Sequence, residues 1–137
     1  MQTSKTFFAE LKKLLPNSRC ELSGVKVAAI VVTDTGIYKG VNYEDPVCSL
    51  SICAERNAIF NAITNGMKEI YEIHLLSSVA KTQGLHMCGA CRQVASNFMK
   101  TNGKIYLYTL DGRRKEYKFG DVFPHRNFAV NKAIMKK

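Results

Sequence analysis

Long hydrophobic runs are missing from this sequence of 137 residues. The longest uninterrupted apolar run covers residues 27–32, or six residues, whereas a membrane-spanning helix needs roughly 18 to 20. The first residues, 1–13, mix charges with apolar side chains and lack the apolar stretch of a secretory signal. We therefore expect no membrane segment and a cytoplasmic location.

Internal repeats, low-complexity tracts and linkers are also missing. Hydrophobic residues make up 46% of the chain and charged residues 23%, a balance that excludes a disordered or fibrous protein. The length is close to that of one ordinary domain. We expect a single domain over residues 1–137.

Acidic residues are scarce: eleven Asp and Glu stand against twenty Lys and Arg, for a net charge of +9. The excess is C-terminal, since residues 100–137 carry ten basic and three acidic side chains, whereas residues 41–80 carry two and five. A basic patch can attract phosphates or nucleic acid. The run Arg113-Arg114-Lys115 also has the pattern of a solvated turn between strands or a subunit contact, which we favour over nucleic-acid binding.

Helix and strand patterns alternate along the chain. Thr3 is the predicted cap of a first helix that Pro16 ends. Further helices are predicted over residues 53–66, 88–103 and 127–137, and strands over 25–33, 37–41, 70–79, 104–109 and 116–119. This alternation predicts an α/β fold with a largely parallel sheet and helices on both faces.

The five cysteines do not indicate a disulfide framework, because the count is odd and the expected compartment is reducing. Cys88 and Cys91 form a C-x-x-C pair, and Cys53 lies 35 positions earlier. All three fall at predicted helix N-termini, where the helix dipole favours the thiolate form that binds metal. A C-x-x-C turn lets two thiolates reach one zinc ion. Three protein ligands leave a position for water, whereas four make a structural site.

Glu55 strengthens the metal interpretation because it follows Cys53 by two residues. Taken singly, Cys53 is typical of a small core residue, Glu55 of an acid that complements a helix dipole, and the C-x-x-C pair of redox chemistry. Together they form Cys-x-Glu…Cys-x-x-Cys, a form of the zinc-deaminase signature in which Cys replaces His.

Three stretches carry a resemblance to a known family: Gly-Val-Asn-Tyr-Glu at 40–44, Leu-Ser-Ile-Cys-Ala-Glu-Arg-Asn-Ala-Ile at 50–59, and Cys-Gly-Ala-Cys-Arg-Gln at 88–93. The chain resembles the small zinc-dependent cytidine deaminases, including their blasticidin-type relatives. The resemblance implies a three-layer α/β/α sandwich with a mixed five-stranded sheet, and a homotetramer with active sites at subunit interfaces. It also implies hydrolytic deamination of cytidine and deoxycytidine to uridine and deoxyuridine plus ammonia, as in pyrimidine salvage.

The same resemblance implies roles for particular residues. Cys53, Cys88 and Cys91 would hold one Zn²⁺ per chain, and Glu55 would transfer protons between water, the pyrimidine ring and the departing amine. Asn42 and Glu44 would bind the ribose hydroxyls of a pyrimidine nucleoside, and Ala54 would offer backbone groups to the base. Arg56 and, less directly, Arg92 are candidates to offset the negative charge of three thiolates. In simpler interpretations, Asn42 and Glu44 belong to a polar turn before Pro46. Arg56 and Arg92 are then solvated surface residues.

Several positions depart from the family pattern around the substrate, namely Val25, Asp45, Pro46, Cys48 and Met87. Cys48 is expected to be a spare core thiol, His74 a packed strand residue and His86 a surface-loop residue. The departures leave other functions open: deamination of a modified cytosine nucleoside such as blasticidin S, deamination of cytosine in nucleic acid, or a non-catalytic zinc module with a fourth protein ligand.

Overall fold

A computed structural model describes residues 2–125 of the chain. Its helices are α1 Ser4–Leu14, α2 Ala54–Thr64, α3 Gly89–Ala95 and α4 Phe119–Val122, and its strands are β1 Val27–Thr33, β2 Gly36–Val41, β3 Ile70–Ser77, β4 Met99–Tyr108 and β5 Arg114–Lys118. Short 3₁₀ turns cover Leu15–Asn17 and Cys48–Leu50. The predicted terminal helix over residues 127–137 lies outside the described residues.

The five strands form one mixed sheet in the order β2-β1-β3-β4-β5. Strands β3 and β4 are parallel, and the other neighbouring pairs are antiparallel. The α/β fold with a mixed five-stranded sheet is confirmed, but the expectation of a largely parallel sheet is wrong. Strand β3, which follows α2, runs in the same direction as β2. However, β3 pairs with the other edge of β1, so β1 lies between β2 and β3.

The first helix follows its sequence pattern closely. The Thr3 side chain accepts a hydrogen bond from the Thr6 amide, as the predicted N-cap should. Pro16 lies in the 3₁₀ turn that follows α1, where it prevents the helix from continuing. Phe7 and Leu11 are the buried residues of its apolar stripe.

The third helix is shorter than predicted. Its last helical residue is Ala95, and residues 99–103, predicted as helix, belong to β4. Met99 pairs with Ile70 at the start of the parallel ladder between β3 and β4. Pairing with a distant strand therefore overrides the local helical pattern.

Two hydrophobic clusters lie on opposite faces of the sheet, which gives the molecule three layers. On one face, Ala29 and Val31 of β1 pack in the same cluster as Ala58 and Ile59 of α2. On the other face, Ala28 and Ile30 belong to the cluster that contains Phe7 and Leu11 of α1. Because β1 is buried on both faces, its sequence is a continuous apolar run.

Gly40 lets α2 approach β2 closely. A Cβ atom at this position would lie 2.4 Å from the Ala58 amide nitrogen and 2.6 Å from the Ala54 carbonyl oxygen. Both neighbours are backbone atoms of α2, so the helix could not accept a side chain without moving. Gly40 thus fixes the position of the helix that begins next to Cys53.

None of the helices within residues 2–125 has the length and apolar character needed to cross a bilayer.

Candidate metal centre and active-site cavity

Three cysteine sulfurs converge in space although one comes from a distant part of the chain. The Cys53 Sγ lies 3.7 Å from the Cys88 Sγ, which lies 3.3 Å from the Cys91 Sγ, and all three sulfurs lie within 4.8 Å of one another. Tetrahedral zinc with Zn–S bonds of about 2.3 Å separates its sulfur ligands by about 3.8 Å. The cluster therefore has the donor atoms and the spacing that fit one zinc ion.

The ends of two helices bring these sulfurs together, as predicted. Cys53 is the N-cap of α2, and Cys88 is the N-cap of α3, where its sulfur accepts a hydrogen bond from the Cys91 amide at 3.4 Å. Unpaired amides and the positive end of the helix dipole favour negative charge at such positions. Both helices thus favour thiolates at the cluster.

The sulfurs interact strongly with one another and with Arg56. Hydrogen bonding from Cys91, followed by that from Arg56, lowers the pKa of the Cys53 thiol to about 5. The Arg56 Nη2 lies 3.7 Å from the Cys53 Sγ. Hydrogen bonding to Cys53, together with burial, raises the pKa of Cys91. The contact with Arg56 thus favours the thiolate form of Cys53.

Glu55 is buried beside this cluster. It lies in the first turn of α2 and is only 4% exposed. Burial, with a smaller contribution from the charge on Cys53, raises the pKa of its carboxyl group to about 7. A carboxyl group with this pKa can both accept and donate a proton near neutral pH, which is the property of a general acid–base group.

A cavity of about 300 Å³ brings most of the predicted site residues together. Its lining includes Asn42, Glu44, Cys53, Ala54, Glu55, Arg56 and Cys88. Cys91 is fully buried, and it is not among the described residues that line the cavity. The volume is at the lower end of the range for small-molecule sites, about 300 to 1,000 Å³.

Comparison with known proteins agrees with this geometry. Residues 1–109 match the family model described as the cytidine and deoxycytidylate deaminase zinc-binding region. The chain belongs to this deaminase family. The match includes all three clustered cysteines, so the metal ion that fits the cluster is Zn²⁺.

Individual members of the deaminase family show how far the likeness extends. The cytidine deaminase of Sporosarcina psychrophila is 35% identical over 118 residues, which cover 85% of each chain. That of Halalkalibacterium halodurans is 30% identical over 110 residues, covering 80% of this chain and 79% of the relative. The crystal structure of cytidine deaminase from Burkholderia pseudomallei superposes with a TM-score of 0.83 at 27% identity, covering 92% of this chain and all of that one.

The Asn42 side chain, which lines the same cavity, is held in place by hydrogen bonds to the protein. Its Oδ1 accepts hydrogen bonds from the Val27 amide at 2.8 Å and from the Ser18 hydroxyl, and its Nδ2 donates to the Val25 carbonyl at 2.8 Å. An amide nitrogen carries two hydrogens. One N–H of Asn42 therefore has no hydrogen-bond acceptor among the described residues.

Glu44, which also lines the cavity, remains ionised. Its carboxylate accepts hydrogen bonds from the Ser23 hydroxyl and from the Ser23 amide, the latter at 2.8 Å. These two bonds lower the pKa of Glu44. A fixed carboxylate beside a free amide N–H can recognise vicinal hydroxyl groups.

Two further residues of the cavity wall were not assigned to the site from the sequence, and for one of them the predicted burial is wrong. Cys48, expected in the core, is exposed and lines the cavity, because it opens the 3₁₀ turn that precedes α2. His86 is exposed in a loop, as expected, and it also lines the cavity. Partial burial lowers the pKa of its imidazole.

Arg92 does not take the role considered for it. Its Nη1 donates to the Val122 carbonyl at 3.0 Å, and its buried Nε has no partner within residues 2–125. Of the two arginines, Arg56 is the one whose guanidinium group contacts a cluster sulfur. His74 is packed as predicted, fully buried in β3.

Proposed function

We propose that this chain is a cytidine deaminase, a hydrolase that converts cytidine and deoxycytidine to uridine and deoxyuridine with release of ammonia. The observation that carries the proposal is the meeting of a three-sulfur cluster and a buried, readily protonated Glu55 at one cavity. The reaction needs an activated water and a group that moves protons. The cavity offers a place for both next to each other.

Cys53, Cys88 and Cys91 are the proposed ligands of one zinc ion. When bound, zinc acts as a Lewis acid that makes water nucleophilic near neutral pH. Among the described residues the metal-ligating cluster contains three side chains, which supports a catalytic rather than a structural site. Arg56 is proposed to offset the negative charge of the thiolates through its contact with Cys53.

Glu55 is the proposed proton carrier. It accepts a proton from the attacking water as the C4–O bond forms, and delivers it to ring N3. It then takes the second proton of that water to the amino nitrogen, so that the C4–N bond breaks and ammonia leaves. Burial supports this role because it brings the pKa of the carboxyl group close to neutral.

Asn42, Glu44 and Ala54 are the proposed nucleoside-binding residues. The free N–H of Asn42 and the carboxylate of Glu44 would bind ribose hydroxyls, with the base towards Glu55. Ala54, fully buried at the start of α2, offers backbone groups to the base. The size of the cavity supports a free nucleoside as the substrate.

Several broader features belong to the same proposal. We propose that residues 1–137 form a single catalytic domain and that the protein is a cytoplasmic homotetramer that acts in pyrimidine salvage. Large exposed apolar side chains near the cavity, including Tyr43, Val47 and Leu50, support subunit contacts there. The five free cysteines suit a reducing compartment.

The alternative functions gain no support from the relatives. The curated proteins reported above are cytidine deaminases. Deamination of blasticidin S, deamination of nucleic acid and a non-catalytic zinc module therefore serve as outcomes of the test.

A substrate panel tests the proposal. The zinc-loaded protein is incubated with cytidine, deoxycytidine, free cytosine, blasticidin S and a cytosine-containing oligonucleotide, and ammonia release is measured. We expect turnover of the two nucleosides and little of cytosine, which lacks the sugar. Turnover confined to blasticidin S or to the oligonucleotide, or to none of the five, would contradict the proposal.

A further inference from the structure

A second cavity, of about 390 Å³, lies between the loop of residues 82–86 and the turn that joins β4 to β5. Three of its lining residues are cationic, namely Arg113, Arg114 and Lys115. Among the described residues that line it there is no carboxylate. The basic run of the sequence thus forms one wall of a concave site, rather than only a solvated turn.

The cationic side chains do not contribute equally to this cavity. The Lys115 Nζ lies 5.2 Å from the ring centroid of Tyr117, which packs with the cluster on the α2 face of the sheet. The guanidinium carbon of Arg114 lies 4.4 Å above the ring of Tyr106, which belongs to the α1 face. The charge of Arg114 is therefore directed away, and Lys115 is the cation on the α2 face.

Arg113 keeps donors available although it has an ion-pair partner. Its Nε donates to the Asp111 carboxylate at 2.8 Å. Its two terminal nitrogens have no hydrogen-bond partner within residues 2–125. Asp111 is also bound by the Thr109 hydroxyl at 2.5 Å, which holds the carboxylate at the turn. Arg113 can therefore present a fork of N–H groups to an anion while it stays paired with Asp111.

Neutral hydrogen-bond donors complete the lining. Thr82 and Tyr117 offer hydroxyl groups and Gln83 offers an amide. A site with two cations, several neutral donors and no carboxylate in its wall suits a small, doubly charged anion with many acceptor oxygens. A phosphate group has these properties.

The second cavity adjoins the active-site cavity. His86 lines both of them, so its side chain separates the two spaces. The wall is fixed in place, because a Cβ atom at Gly84 would lie 2.3 Å from the Leu107 Cβ. The backbone of this loop therefore packs directly on β4 and cannot carry a larger residue at position 84.

We propose that this second cavity binds a phosphate group through Lys115 and Arg113. Its location next to the nucleoside cavity, which rests on the proposed function, points to two sources for that group. The phosphate is either carried by a cytidine nucleotide whose nucleoside lies across His86, or by a separate phosphorylated ligand. The shared chemistry is a phosphate dianion held by two cations.

Calorimetric titration of the zinc-loaded, full-length protein with inorganic phosphate tests the site. The titration is run both without uridine and with uridine in excess, which fills the active-site cavity. We expect one phosphate per chain, and binding weakened about tenfold or more in Lys115→Gln and in Arg113→Gln, since each removes a hydrogen bond to a charged group. Lys68→Gln is the matched control, because Lys68 is exposed and lines neither cavity.

Three results would overturn the site: no phosphate binding by the wild type, loss of phosphate binding when uridine is present, or equal weakening in Lys68→Gln. The last result would show a general effect of net charge. The titration involves no turnover. A protein that binds phosphate but releases no ammonia from cytidine would contradict the proposed function alone, and an active enzyme without phosphate binding would contradict this inference alone.

Turnover of cytidine and of cytidine monophosphate then identifies the source of the phosphate. If the substrate carries it, Lys115→Gln raises the KM for cytidine monophosphate and leaves that for cytidine unchanged. If a separate ligand carries it, both KM values stay at the wild-type level while inorganic phosphate binds less tightly. Either result supports the shared chemistry of the site.

Discussion

His74 on one face of the sheet and Glu55 on the other are both buried ionisable side chains, but their hydrogen bonding differs. On the α1 face, His74 is fully buried, and its ring nitrogens are bonded to the Tyr108 hydroxyl at 3.0 Å and to the Glu72 carboxylate at 2.8 Å. On the α2 face, Glu55 is buried almost as deeply. Among the described residues, its carboxyl group is hydrogen-bonded only by the backbone amide of Glu55 itself.

The difference separates a structural polar group from a reactive one. His74 lies between the rings of Phe7 and Tyr106, at centroid distances of 3.8 and 4.7 Å. Both ring faces and both ring nitrogens of His74 therefore have partners within the protein. Glu55 opens onto a cavity and has a raised pKa. Burial of a carboxyl group that has few hydrogen-bond partners costs stability. A substrate that forms hydrogen bonds with this carboxyl group would explain why Glu55 is buried next to the sulfur cluster.

Removal of a cluster sulfur is the most damaging change on the α2 face. Cys88→Ala should lose its zinc, and with it essentially all cytidine turnover, because two sulfurs give an incomplete ligand set. Metal content by mass spectrometry and ammonia release are the measurements. The control is Cys48→Ser, a thiol outside the cluster, which should keep one zinc per chain. Stoichiometric zinc in Cys88→Ala would show that the proposed ligands are wrong.

Substitution of Glu55, with Glu72 on the α1 face as the control, tests the comparison itself. Glu55→Gln should keep about one zinc per chain while kcat for cytidine falls by about 10²- to 10⁴-fold, the usual contribution of a general acid–base group. The matched control is Glu72→Gln on the α1 face, which should leave kcat near the wild-type value. Wild-type turnover in Glu55→Gln would remove this residue from the mechanism.

Gly40→Ala tests how tightly the catalytic layer packs on the sheet. The added methyl group would overlap the α2 backbone at Ala54 and Ala58, and such overpacking lowers the free energy of unfolding by about 1 to 3 kcal/mol. Thermal unfolding at matched protein and zinc concentrations measures this loss of stability. The control is Gly89→Ala, where a Cβ atom meets nothing within 4 Å. Equal destabilisation of the two variants would refute the close-packing argument.

The smallest effect is a pH dependence from the α1 face. Burial outweighs the attraction of Glu72 and lowers the pKa of His74 below its ordinary value of 6.5. Below that pH the unfolded chain takes up a proton that the folded protein resists, so stability present above pH 6.5 is lost as the pH falls. The slope from this residue is at most about 1.4 kcal/mol per pH unit.

His74→Gln removes the titrating group while it keeps a polar side chain in the network. We expect a shallower loss of thermal stability between pH 6.5 and 5 than in the wild type. The exposed His125 provides the control, since His125→Gln should keep the wild-type slope. An unchanged slope in His74→Gln would contradict the account of the α1 face.

Local patterns predicted most of the fold, and long-range pairing decided the rest. The Thr3 cap, the apolar run of β1 and the helix starts after Cys53 and Cys88 are set by nearby residues, and the structure confirms them. The strand character of residues 99–103 comes from pairing with β3. No local pattern shows that β3 pairs beside β1 and not beside β2.

The candidate site also contains residues that the sequence predicts and residues that only the structure reveals. Spacing and residue type pointed to a metal site, and the resemblance to the deaminase signature brought Cys53, Cys88 and Cys91 into one hypothesis. The cavity wall formed by Cys48 and His86 depends on how loops fold over the helix ends. Thiol and imidazole side chains in loops carry no periodic signal, so their role appeared only in three dimensions.

X-ray absorption at the zinc edge tests the central claim most directly. We expect three sulfur neighbours at about 2.3 Å and one oxygen neighbour from solvent, with the oxygen signal altered when a nucleoside analogue fills the cavity. Four protein ligands, or fewer than three sulfurs around the metal, would contradict it.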